Sequence, residues 1–278
     1  MKKIETLRDL QMVSFSIYKD LSSFCVKNGI KLYMLGGSLI GAVRHRGFIP
    51  WDDDIDVAMS RPDYQKLMEL SDKGWISEKC RIVDPMTETA FKGYIPLVVY
   101  EQSKLTSGQY KEQEDLKISI SIFVYDGVPD GWLTRKIYYA RVYLLRAKHA
   151  LCRANFKNVN TIPAKIFGPI ISPFFNSKNV FKYKKMIITH ACKYNYALSK
   201  CCACNCDYQA SKEVFPRKLF ETPVELEFEG MKCYAFKHYK EHLTNYYGNY
   251  MQLPPKEKQK PKHSFDAYIE DDFVFPKN

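Results

Sequence analysis

The chain has 278 residues and a formal net charge of +11, from 42 Lys and Arg against 31 Asp and Glu. At roughly 150 residues per domain this is one large domain or two small ones. A composition of 46% hydrophobic and 26% charged residues excludes wholesale disorder. The longest apolar stretch, residues 166–175, contains Gly168, Pro169 and Pro173. It falls short of the roughly 18 residues that span a bilayer. The first residues, Met1-Lys2-Lys3-Ile4-Glu5, lack the apolar core of a signal peptide, so a cytoplasmic protein is expected.

In chain order, residues 5–28 read as an amphipathic helix, with Leu7, Leu10, Ile17, Leu21 and Phe24 near helical spacing and Asn28-Gly29 as a stop. Residues 30–35 suit a short strand. Gly36-Gly37-Ser38 breaks it, and Ser38 is placed to cap a short helix running through Arg44. A loop over 46–50 leads to a second strand at 55–59, and Arg61-Pro62-Asp63 opens another helix. Strands rich in β-branched and aromatic residues follow at 95–100 and 117–125. Two basic helices are predicted near 130–156 and 179–199, with a Pro-broken apolar loop between them. The last third holds a strand at 224–228 and a helix near 239–247, before a Lys- and Pro-rich stretch at 254–262.

The segment richest in chemistry is Gly36-Gly37-Ser38 followed by Trp51-Asp52-Asp53-Asp54-Ile55-Asp56-Val57. If Asp54 starts the strand, the period-2 alternation puts Asp54 and Asp56 on one face and Ile55 and Val57 in the core. Two carboxylates held so close repel, which suits a hard divalent cation, Mg2+ or Mn2+. A Gly-Ser turn at a helix N-terminus offers backbone N–H groups and a hydroxyl to phosphate oxygens. Arg44 and His45, at the end of the short helix, are candidates to contact an anionic ligand. Together these elements fit metal-assisted phosphoryl transfer, without naming donor or acceptor.

The continuous run from Gly36 to Val57 resembles the signature of the LicD family, which is related to the fukutin group within the nucleotidyltransferase-fold superfamily. Ile122-Phe123-Val124-Tyr125-Asp126-Gly127 is similar to a later family segment. Phe228-Glu229-Gly230, the stretch Tyr247-Gly248-Asn249-Tyr250-Met251-Gln252-Leu253-Pro254-Pro255 and His263 resemble its closing motif. The resemblance spans roughly residues 25–265. It implies a CDP-linked donor such as CDP-choline, whose phosphoalcohol passes to a hydroxyl of a cell-surface glycan or lipid-linked glycan precursor while CMP leaves. By position it makes Asp54 and Asp56 the catalytic, metal-binding pair and puts Gly37 with Ser38 at the donor phosphate; Gly36, Arg44 and His45 complete the substrate-binding candidates. The family carries a third Asp immediately before its Ile-Phe pair, and here that position is Ser121. A serine neither binds a cation as a carboxylate does nor acts as a base near neutral pH. Either Asp53, Asp126 or Glu229 stands in, or a second metal binds weakly, or the activity is lost.

The positive charge is segregated. Residues 131–206 carry 14 Lys and Arg and no Asp or Glu, which leaves 28 basic and 31 acidic residues elsewhere. Such a block reads as a nucleic-acid surface, a solvated helical face, or a dock for an anionic membrane or anionic glycan. With no nucleic-acid motif and the resemblance above, peripheral contact with the inner membrane face or an anionic acceptor is expected, and nucleic acid is not. Nine cysteines, an odd number, argue against a disulfide framework. The cluster Cys201, Cys202, Cys204 and Cys206 reads as buried or half-buried strand thiols rather than zinc ligands. The expected architecture is a single α+β domain over 1–278, with a nucleotidyltransferase-like mixed sheet flanked by helices. Its motif core is residues 28–130, followed by an added basic helical segment at 131–206 and a closing segment at 207–265.

Overall fold

A computed structural model describes residues 1–107, 116–153, 177–207, 211, 213–261 and 265–275. The elements begin with β1 (Lys2–Lys3), α1 (Leu7–Lys27), β2 (Tyr33–Met34), α2 (Gly36–Arg44), β3 (Asp56–Ser60) and α3 (Arg61–Leu70). Next come β4 (Cys80–Val83), β5 (Leu97–Tyr100), β6 (Ser103–Ser107), β7 (Ser119–Gly127), α4 (Trp132–Arg153) and α5 (Val180–Ala191). Then follow β8 (Cys201–Ala203), β9 (Phe215–Pro216), β10 (Pro223–Phe228), β11 (Met231–Phe236), α6 (Tyr239–Tyr247) and β12 (Phe265–Ile269). This mixture of helices and a mixed sheet is the α+β class read from the sequence. The chain divides into two compact units, one of Met1–Val83, Pro96–Tyr125 and Arg217–Asn278, the other of Asp84–Ile95 and Asp126–Pro216.

In the first unit, α1 starts where Thr6, in extended backbone, accepts a hydrogen bond from the Asp9 N–H at 3.0 Å. Leu10, Val13, Ile17 and Leu21 recur on one face and are buried, and each such side chain contributes about 1.5–3 kcal/mol. The helix ends at Asn28 because Gly29 follows with φ of 61°. The sheet runs β2-β3-β7-β5-β4. The β3–β7 pair is parallel and pairs Asp56 with Ser121 through Ser60 with Tyr125; its neighbours are antiparallel. Val57, Ala58 and Met59 are wholly buried, as is Ile122, so these two strands carry the middle of the core. Ser60 caps α3 by accepting from the Asp63 N–H at 3.2 Å, with Pro62 in the first turn.

A hairpin of β10 and β11 turns at Glu229-Gly230, both at positive φ (52° and 72°), the signature of a type I′ turn. It buries Phe228 against Phe48 with ring centroids 5.0 Å apart. A further sheet, β1-β12-β6, was not anticipated from the sequence. β1 is two residues long and the β12 segment alternates too weakly to stand out alone.

In the second unit, α4 and the end of β7 enclose a core of Val128, Tyr138, Tyr139, Val142 and Ala203. Tyr138 donates its hydroxyl to the Ala191 carbonyl at 3.0 Å. Lys184 of α5 is fully buried. Its ammonium donates to the carbonyls of Glu88 (2.7 Å) and Phe91 and lies 4.8 Å from the Phe181 ring, while burial lowers its pKa to about 8.

Two sequence readings need correction here. The second basic helix stops at Ala191 rather than near 199: the Lys193 N–H bonds back to the His190 carbonyl, Tyr194 bridges to Gly127, and Asn195 accepts from the Ala197 N–H in an Asx turn. The cysteine run is not one extended strand. β8 ends at Ala203, and the Asp207 N–H turns back onto the Cys204 carbonyl. Inside that turn Asn205, wholly buried, donates to the carbonyls of Gly127 and Ala191 and accepts from the Tyr139 hydroxyl. Cys202, Cys204 and Cys206 are buried thiols, and burial raises Cys204 far above the range of a ready metal-binding thiolate. The apolar loop at 162–175 and His263 lie outside the described residues.

Candidate functional site

The site is built at the start of α2, in the first unit. Leu35 is extended, Gly36 has φ of 57°, and the first turn closes through the Leu39 N–H onto the Leu35 carbonyl at 3.0 Å. The two glycines do separate jobs. A Cβ on Gly36 would sit 3.2 Å from Asp56 Oδ2, and one on Gly37 would sit 2.3 Å from Asp52 Oδ2. Absent side chains therefore let two carboxylates close onto the N-terminal turn of a helix, where the partial positive charge of the backbone favours anions.

Ser38 does not cap α2, contrary to the sequence reading. Leu35 holds the cap position, and the buried Ser38 Oγ accepts instead from the Asp56 N–H at 2.9 Å. The serine ties the glycine turn to the first residue of β3. A second tie comes from Gln11, a buried polar residue of α1 that the sequence analysis did not select. Its Nε2 donates to the carbonyls of Asp52 (2.7 Å) and Ile49 (3.3 Å) and holds the aspartate turn in place. The available signal was a glutamine beside Leu10 on the buried face of α1.

β3 begins at Asp56, so Asp54 precedes the strand rather than starting it. The alternation survives nonetheless. Asp54 is exposed, Ile55 buried, Asp56 half-buried and Val57 buried. Among the described residues, the acidic group whose ligand oxygens all lie within 4.8 Å of one another is Asp52, Asp53 and Asp54. Asp56 is outside that group, with its Oδ2 beside Gly36. This all-oxygen donor set fits a hard divalent cation, and Gly37 and Gln11 both hold its first member, Asp52, in place.

Ser121 stands beside Asp56 in the parallel ladder, its N–H donating to the Ile55 carbonyl at 3.0 Å. Of the three carboxylates considered as its substitute, Glu229 is committed elsewhere. Arg8 donates to both its oxygens (3.0 and 2.6 Å) and the Phe48 N–H to one of them (3.0 Å), and the Arg8 hydrogen bond holds its carboxyl below the usual range. Asp126 is buried five positions further along β7, about 17 Å of extended chain. Asp53 lies within the aspartate group itself.

Arg44 and His45 sit at the other end of α2, about 12 Å of helix away from Gly36. Arg44 donates through Nη1 to the Tyr250 carbonyl at 2.6 Å and through Nε to His45 Nε2 at 2.9 Å. Burial, then the Arg44 charge, lowers the His45 pKa and favours the neutral ring, whose Nε2 accepts from Arg44 and so leaves the proton to Nδ1. The end of α6 and the segment after it thus reach both ends of α2, since Tyr247 Oη would lie 3.5 Å from a Cβ on Gly36.

A family model described as "LicD/FKTN/FKRP, nucleotidyltransferase domain" matches residues 29–143. The lipopolysaccharide cholinephosphotransferase LicD of Haemophilus influenzae is 32% identical over 286 aligned positions, covering 97% of this chain and 100% of that protein. The chain belongs to the LicD family. An uncharacterized Rickettsia prowazekii protein is 39% identical over 56 residues, 20% of this chain and 21% of its own. One from Rickettsia typhi is 43% identical over 49 residues, 18% of this chain and 16% of its own. The LicD match takes in α2, all four aspartates and Ser121, the residues that the geometry draws together.

Proposed function

We propose that this protein is a metal-dependent phosphotransferase that moves a phosphoalcohol, such as phosphocholine, from a CDP-linked donor to a hydroxyl of a cell-surface glycan precursor. The observation that carries the reading is the closure of Asp52 and Asp56 onto the Gly36-Gly37 turn, beside the clustered oxygens of Asp52, Asp53 and Asp54. The name of the Haemophilus influenzae relative supports the same chemistry on a glycan. On this reading the protein works in the cytoplasm, where nucleotide-linked donors are made.

By its position in the family motif the Asp54 and Asp56 pair would hold Mg2+ or Mn2+, and the clustered Asp52 and Asp53 beside Asp54 would supply the carboxylate that Ser121 lacks. The bound cation would offset charge on the transferred phosphate. The turn of Gly36 and Gly37 presents backbone N–H groups to the donor phosphates. Ser38 Oγ, already accepting from Asp56, keeps its own O–H to donate. Arg44 and His45 hold the far end of the donor, with Arg44 aimed by the Tyr250 carbonyl. The acceptor hydroxyl gives its proton to a carboxylate of the aspartate group, because Ser121 has no basicity near neutral pH.

The test is product analysis with CDP-choline, CDP-ethanolamine and Mg2+ or Mn2+, using a glycan acceptor. CMP release is expected, and Asp54→Asn or Asp56→Asn should lower it by about a hundredfold or more. Pyrophosphate release from a nucleoside triphosphate would assign nucleotidyl transfer instead. Full cellular function in both Asn variants would mean a non-catalytic relative.

A further inference from the structure

We propose that the outer face of α4 docks on an anionic lipid surface, with lipid phosphate held in the adjoining groove between α4 and α5. This rests on the second unit alone and is independent of the transferase reading. At about 100° per residue, Leu133, Ile137, Ala140, Leu144, Ala147 and Leu151 fall within an arc of about 80° on α4. The opposite side, Tyr138, Val142, Leu145 and Cys152, packs into the core. The outer stripe is turned away from that core: Leu133, Ile137 and Leu144 are 55%, 63% and 55% exposed, and Trp132 at the helix start is 69% exposed. Among the described residues none covers this outer stripe, and an exposed hydrophobic surface of that kind marks an interaction site.

The flanking charge says what covers it. Lys136 borders the stripe on one side, with its ammonium 4.9 Å over the Trp132 ring, and Lys148 and Arg141 border it on the other. Arg141 also lines a groove of about 390 Å³ with Lys185, Met186, Thr189, His190 and Lys193 of α5 and the residues just after it. No acidic side chain occurs anywhere in residues 131–206. Among the described residues, no ion pair engages Arg141, Lys185 or Lys193. His190 is bonded through Nε2 to the Tyr138 carbonyl and stacked on that ring, and burial, with smaller contributions from Arg141 and Lys193, lowers its pKa. The groove's positive charge at neutral pH is therefore that of Arg141, Lys185 and Lys193. An apolar stripe between rows of cations, without acids, is the pattern of a helix lying in the plane of a membrane interface. A protein partner would need acidic side chains around a matching apolar ridge; an anionic bilayer supplies both components as a continuous surface.

Vesicle flotation with the full-length protein at low salt tests this, using phosphatidylcholine with or without phosphatidylglycerol. Binding is expected only with phosphatidylglycerol, accompanied by a blue shift of Trp132 emission that Trp132→Phe removes. Leu133→Ser with Ile137→Ser and Leu144→Ser should weaken binding more than about tenfold. Replacing Arg141, Lys185 and Lys193 by Gln should weaken it about fivefold per charge. Inorganic phosphate at millimolar concentration should not displace the protein, since the stripe as well as the groove is engaged. Absence of wild-type flotation or of the Trp132 shift overturns the proposal without reference to any variant. So does a dimer in sedimentation velocity that the triple Ser variant dissociates, because the stripe's occupant would then be a second copy.

Discussion

Glu229 shows how one side chain holds the site's surroundings. It sits in the left-handed region at φ of 52°, a conformation costly for a residue with a long side chain, and its carboxylate is gripped by Arg8 and the Phe48 N–H. The Arg8 hydrogen bond, then the Phe48 N–H against opposing burial, keeps its pKa low. A carboxyl whose folded pKa lies below its unfolded value stabilises the fold above the unfolded value, about 4.3, and loses that contribution as pH falls through the folded one. Glu229→Gln should therefore cost about 1–2 kcal/mol at pH 7, a modest figure because Arg8 is 40% exposed. The difference from wild type should shrink at pH 3. Urea denaturation at both pH values checks it; an equal gap at the two would show that the ion pair is not the cause. The sequence showed Glu229 only as part of a motif, because its partner lies 221 residues away.

The pairing of β3 with β7 decides what Ser121 means for the site. Periodicity suggested both strands, and the parallel register then set Ser121 directly beside Asp56, about 4.8 Å away across the ladder. A carboxylate there would add to the aspartates already at the glycine turn. Ser121→Asp should tighten Mn2+ binding roughly tenfold, read by isothermal titration, or raise turnover. Loss of whatever activity the wild type has would show that this position is not the missing carboxylate. Strand register is invisible to a single sequence, since it depends on which residues of two distant segments share a core. The same reason separates Ser38 from its expected role: capping is a local rule, whereas its bond to the Asp56 N–H exists only because β3 returns to α2.

At the scale of the whole molecule, both ends of the chain belong to the first unit. Lys2 pairs with Ile269, and β12 is the middle strand between β1 and β6. Ala267, Ile269 and Phe273 are buried there. A chain truncated before residue 265 should lose about 3–6 kcal/mol of stability or fail to fold. An unchanged urea midpoint would show the sheet to be dispensable. Among the described residues no helix is long and apolar enough to cross a membrane.

The sequence by itself determined the α+β class, the glycine turn, the aspartates and the acid-free block, because these are written in local spacing and composition. Tertiary structure alone decided which carboxylates meet the turn, that Glu229 is a strut, that Gln11 positions the aspartates, and that α4 turns a second apolar face outward. Each of those depends on contacts between residues far apart in the chain. Such contacts form only when the core they share is assembled.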